Sequence, residues 1–217
     1  MTWSPVAGVD LLTAQEMQAL YLAEKNELVA IKAALQDATP AAVVGLSAVV
    51  PQLPSPYQRP ADTNNYAAGD LIANSATAGS VVPMNFEVAR VEGGTGSIRR
   101  ARIFSSALTD INAAVRLHLF RNSPVVANGD SGAFSVNGLT ALYMGALEGT
   151  LDSLFSDGVG GIAVPRLGGE INFHTLSATT NPVVAGSKLI YGLLEARSAI
   201  TVTSGATYSV RLEVFRD

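Results

Sequence analysis

From residue 62 onward, apolar side chains recur at every second position, and few patterns restrict a fold more tightly. Val115, Leu117 and Leu119 alternate with Arg116, His118 and Phe120, and Tyr208, Val210, Leu212 and Val214 alternate with Ser209, Arg211, Glu213 and Phe215. A repeat of two places one apolar face on a pleated strand, whereas a helix would scatter the same residues around its circumference. Turn-forming clusters such as Glu92-Gly93-Gly94-Thr95-Gly96 and Asn128-Gly129-Asp130 separate these runs. The pattern predicts strands over 66–73, 81–91, 97–105, 114–121, 142–147, 170–176, 188–195 and 207–215. With no helical pattern between them, these strands predict an all-β body at 62–217, an antiparallel β-sandwich of jelly-roll-like type.

The N-terminal part has a different period. After a leader at 1–12, residues 13–38 predict one long amphipathic helix. Thr13-Ala14-Gln15-Glu16 has capping-box spacing, good helix formers follow, and Thr39-Pro40 ends the run. A four-three spacing of Met17, Tyr21, Leu28, Ile31 and Leu35, interrupted by Glu24, forms a coiled-coil seam. Leu at a positions with Ile at d favours bundles above the dimer, so a homo-oligomer, with a trimer as the leading expectation, is the first reading. Docking on the chain's own body or in a foreign groove are the alternatives.

Residues 39–61 are Pro-rich, with Pro40, Pro51, Pro54, Pro56 and Pro60, and predict an extended arm. Its apolar residues Val43, Val44, Leu46, Val49 and Val50 would not lie in water as a strip. They are expected either to contact a neighbouring subunit or to pack on the arm's own domain.

Only 15% of the residues are charged, against roughly 25% in ordinary soluble domains; 33 Ser and Thr and 20 Gly take their place. The net charge of −4 and the absence of cysteine argue against a basic nucleic-acid binder, a disulfide framework and a thiol nucleophile. MTWSPVAGVD lacks a basic start and a secretory apolar core, and the apolar run at 41–50 is too short to span a bilayer, so no export or membrane is expected.

The chemistry-bearing residues form no site at this level. Gly129-Asp130-Ser131-Gly132 matches the residues around a chymotrypsin-like nucleophile, but the two histidines, His118 and His174, lack the context of a triad. They read as sheet-surface residues. Gly93–Gly96 and Gly158–Gly161 lack the Lys-Ser/Thr of a phosphate loop. Asp152 and Asp157 could offer oxygens to calcium but without EF-hand spacing. Within a regular strand, Arg100 and Arg102 would share a face and Arg99 would take the other, a solvated or edge-protecting arrangement. No catalytic, cofactor or metal site is expected, and the chain is expected not to be an enzyme.

The stretches YAAGDLIANS (66–75), GGTGSIRRARIFSS (93–106), VRLHLFRNSPVVANGDSGAFSV (115–136) and INFHTLSAT (171–179) resemble small structural proteins of tailed bacteriophages, some of them capsid decoration (cement) proteins. The resemblance covers roughly 62–217. It implies a virion component made in the host cytoplasm, with a β-sandwich body, often trimeric, partnered by the major capsid protein or other shell subunits. A tail, neck or fibre module that recognises a host surface or carbohydrate is the alternative it leaves.

Overall fold

The computed structural model describes residues 14–37, 46–136, 141–151, 161–163, 166–180 and 183–217. The chain divides into two compact units, residues 1–43 and 44–217. In the first, helix α1 spans Ala14–Asp37. Its apolar residues do not make the single narrow stripe expected. Met17, Tyr21 and Leu28 lie close together around the axis and Leu22 and Val29 lie well to one side of them, so the apolar surface is spread over about 140° of the circumference.

The second unit is mostly β. Its strands are β1 (Leu46–Pro51), β2 (Tyr57–Gln58), β3 (Leu71–Ile72), β4 (Met84–Glu87), β5 (Thr95–Ser105), β6 (Ala114–Phe120), β7 (Tyr143–Thr150), β8 (Gly161–Ala163), β9 (Arg166–His174), β10 (Thr179–Thr180), β11 (Val183–Val184), β12 (Leu189–Ala196) and β13 (Thr207–Arg216). One sheet has the order β1-β13-β5-β8, with β2 also on β13 and β9 also on β5; the other runs β3-β12-β6-β7, with β4 also on β12. The pairings in both are antiparallel. Alternation does the sorting: Val210 and Leu212 from the first sheet and Leu117 and Ile190 from the second enter one apolar core. Two antiparallel sheets sharing a core agree with a β-sandwich.

The body begins earlier than the sequence pattern indicated. Residues 46–51, assigned to an extended arm, form β1, with Ala48 opposite Val214 and Val50 opposite Leu212. Gln52 then donates from Nε2 to the Tyr208 carbonyl at 2.8 Å and accepts the Val210 N–H at 2.7 Å. Tyr57 and Arg59 are buried as well. The described part of the arm is therefore integral to the first sheet.

A second apolar cluster lies on the other side of the β12/β6 sheet. Leu71, Val81, Phe120, Val126, Ala141 and Leu193 form it, with Phe134 packed against them. The connection between β6 and β7 contributes Val126, Phe134 and Ala141, so this sheet is covered on both faces over much of its area.

Candidate functional site

Three groups of polar residues invite a chemical reading. The first lies on the second sheet beneath the β6–β7 connection. Alternation turns Arg116 and His118 of β6 away from the core, and Glu195 stands opposite Arg116 on β12. His118 Nε2 is 2.8 Å from a Glu195 carboxylate oxygen and Nδ1 is 3.2 Å from the Tyr143 hydroxyl. Phe134 stacks on the imidazole, with ring centroids 4.2 Å apart, so His118 is 9% exposed rather than a sheet-surface residue. Burial lowers its pKa, and the Glu195 carboxylate opposes that shift only in part. Around it, Arg116 binds Glu148 through Nε and Nη2 at 2.9 and 2.6 Å, and Arg197 reaches Glu195 at 3.0 Å. Both imidazole nitrogens have partners, and the Phe134 ring lies on the imidazole.

The second group contains the protease-like GDSG string. Asp130 is buried, and its Oδ1 accepts from the Tyr66 hydroxyl and the Ala73 N–H, both at 2.7 Å. Its Oδ2 faces Arg59 Nη2 at 3.1 Å. Arg59 also donates to Tyr66 Oη at 3.0 Å and to Asp62 at 2.7 Å. Burial pushes the Asp130 carboxyl above its usual pKa, against the pull of Ala73, Tyr66 and Arg59. Ser131 Oγ meets the Asn64 carbonyl at 3.4 Å, and no histidine is among its partners in the described residues. Gly129 is required sterically, since a Cβ there would lie 2.1 Å from the Ala76 carbonyl oxygen. The string serves as a turn that delivers one carboxylate to a buried arginine.

A smaller polar cluster gives a direct test of burial electrostatics. Asp110 Oδ2 accepts from the Ser105 hydroxyl and, at 2.7 Å, from the Tyr208 hydroxyl, while Oδ1 is buried without a partner among the described residues. Burial raises its pKa against both hydrogen bonds. A carboxyl that holds its proton more tightly when folded stabilises most below its unfolded pKa of roughly 4 and loses that contribution as pH rises through the folded value. Asp110→Asn removes the titration and keeps the shape. The stability of the variant relative to wild type is therefore expected to rise from pH 4 to pH 7 in urea unfolding; Asp130 is common to both proteins and cancels. A constant difference across that range would show that Asp110 does not titrate in this way.

The third group is on the outward face of the first sheet. The pairing of β5 shifts register between Ile98 and Arg100 on the β9 side, and between Glu213 and Val214 on the β13 side. Against β13, Arg99 is thus the extra residue of a β-bulge, whereas against β9 the extra residues are on β9, between Arg166 and Ile171. A bulge adds a residue without continuing the alternation, and Arg99 and Arg100 are both about half exposed, at 54% and 52%. Arg99 lies over the Phe215 ring at 3.9 Å and pairs with Glu170 at 2.7 Å. Arg100 and Arg102 converge on Glu213, the latter at 2.8 Å. Burial works to raise the Glu213 pKa, but the two arginines hold it below the usual carboxylate range. The expected split of Arg99 from Arg100 and Arg102 is corrected: the bulge collects them into one patch.

Of the residues expected to act in assembly, Met17, Tyr21 and Leu28 are exposed on α1. Ile31 and Leu35 fall within the helix, but their side chains lie outside the described residues, as do Val43 and Val44 altogether. Leu46 stands opposite Arg216 in β1. Val49 is exposed, whereas Val50 is in the core and so cannot reach a neighbour as an arm residue. Asp152, Asp157 and Gly158–Gly160 lie outside the described residues. Among the described residues no cluster of His, Asp or Glu has the grouping of a metal site, and no helix is long and apolar enough to cross a membrane.

The fold and these groups define the class: a two-sheet antiparallel β protein with a separate helical unit and an arginine-bearing sheet face. No family model, curated protein or solved structure matches the chain.

Proposed function

We propose that this chain is a non-enzymatic structural protein of a tailed-phage virion, a decoration or cement protein that self-associates through α1 and sets its β body on an assembled shell. The observation that carries the reading is the exposure of Met17, Tyr21, Leu22, Leu28 and Val29 on one helix. Most helical stability in proteins comes from packing rather than from propensity, and this helix gains most by burying these side chains against copies of itself. An apolar surface about 140° wide suits a bundle better than a two-stranded seam, which supports a trimer. A jelly-roll path for the body belongs to the same reading, as do the major capsid protein or other shell subunits as partners. The saturated partners of His118 and Asp130 support a structural use of the residues that most resemble catalytic ones. Residues 46–61 of the expected arm belong to the body, and residues 39–45 lie outside the described residues.

Light scattering of the full chain tests the reading together with binding to purified capsids. Wild type is expected to be an oligomer that binds, and Leu28→Asp with Ile31→Asp is expected to give monomers that bind weakly, since the substitutions place charges in the buried seam. A monomeric wild type, or an unchanged oligomer in the double variant, would overturn the assembly role of α1. Absence of the protein from purified particles by mass spectrometry would overturn the virion assignment.

A further inference from the structure

We infer that the outward face of the β1-β13-β5 sheet docks on an acidic protein surface, using arginines that the β5 bulge brings to one side. The face carries Arg99, Arg100, Arg102 and Arg211 against the carboxylates of Glu170 and Glu213. Asp217 adds a third carboxylate beside Glu170 and Phe215, so four arginines face three acidic side chains and the face is net positive on a chain whose overall charge is −4. That segregation is what charge complementarity across an interface requires.

The arginines are also set in place before any partner arrives. Arg99 rests on Phe215 at 3.9 Å and Arg211 lies over Phe104 at 5.3 Å. The attraction of each ring for the charge favours these placements, and the guanidinium donors that do not face a ring remain able to meet carboxylates. Arg211 stands opposite Arg102 in the ladder and is exposed, and its guanidinium has no hydrogen bond or ion pair among the described residues. Two like charges directly opposite each other destabilise a sheet, and an incoming carboxylate between them would relieve that.

The chemistry favours a protein over a nucleic acid as occupant. Glu213 sits between Arg100 and Arg102 at the middle of the patch and is held ionised by them. A central carboxylate repels a continuous phosphate backbone, whereas a protein surface of mixed charge accommodates it. Arginine on a flat, partly aromatic face is also the composition enriched in protein interfaces.

The test uses the full chain and two probes, poly-L-glutamate and a short DNA duplex, each at about 50 and about 300 mM salt so that screening is varied. Wild type is expected to bind poly-L-glutamate at low salt and to lose most of that binding at high salt. Arg99→Glu with Arg211→Glu is expected to weaken low-salt binding at least tenfold, with α1 association unchanged. Arg99→Gln with Arg211→Gln, which removes charge without reversing it, should fall between the two and carries the comparison if the reversed variant fails to fold. No binding of poly-L-glutamate by wild type, equal binding by wild type and the variants, or tighter binding of the duplex than of poly-L-glutamate would each overturn the inference. The α1 experiment is read by oligomeric state, so the two readings fail separately.

Discussion

Arg59→Ala is expected to destabilise the body by about 3–5 kcal/mol at neutral pH, the usual cost of removing one partner from a buried charge pair. Arg59 is 2% exposed and is the one cation bonded to Asp130 among the described residues. Without it, the Asp130 carboxylate keeps the Tyr66 hydroxyl and the Ala73 N–H but has no neutralising charge. Burial already raises the Asp130 pKa, and removing Arg59 removes one of the groups opposing that rise. The loss should therefore shrink as pH falls toward 4, where the carboxyl takes up a proton. Asp130→Asn in the Arg59→Ala background should recover part of it. Urea midpoints at pH 4 and pH 7 read all three outcomes. A loss below about 1 kcal/mol, the size of a surface pair, would show that the pair contributes little.

Phe86→Ala is expected to cost a similar amount, about 3–5 kcal/mol, for a different reason. Phe86 is fully buried on β4, opposite Ile190 on β12. Its ring and Leu117 both crowd Gly192: a Cβ at that glycine would lie 3.0 Å from Phe86 Cε2 and 3.1 Å from Leu117 Cδ1. Gly192→Ala alone should destabilise by overpacking, by about 1–3 kcal/mol. In the Phe86→Ala background the same methyl enters vacated space, so its cost should fall or change sign. This coupling, measured as a double-mutant cycle by thermal or urea unfolding, separates a packed Phe86–Gly192 contact from a general weakening of the sheet. Additive losses would show that the two positions do not share a cavity.

Much of the β body was legible because burial on one face writes a repeat of two into the sequence. β5, β6, β12 and β13 lie within a residue or two of where alternation put them. β1 was missed for a physical reason. Proline weighs against a strand, yet Pro51 is the last residue of β1, which is at the end of its sheet order and has β13 as its ladder partner; there a missing N–H costs little. The arginine patch was missed because alternation assumes an unbroken ladder, and nothing in Ser97-Ile98-Arg99-Arg100 announces a bulge. Alternation alone places His118 on the sheet surface, because its cover, Phe134, comes from a loop with no periodic signal. The Arg59–Asp130 bond joins positions 71 residues apart, and a single sequence holds no mark of that pairing. The turn residues Gly129 to Gly132 were visible; what the turn delivers was not.

β13 is the meeting point of β1, β2 and β5, and this fixes the order in which the body can come together during synthesis. Val210 must find Gln52 across 158 residues before the first sheet closes. At ribosomal rates of roughly 5–20 residues per second, β1 waits on the order of 10–30 s for its partner to be made. Through that interval its apolar face lacks its partner, while the hydrogen bonds of α1 are local and need no distant strand. Pairings of such long range also close slowly after release. Folding of the body is thereby a late event, and a helix-first association would bring copies together before their sheets are complete.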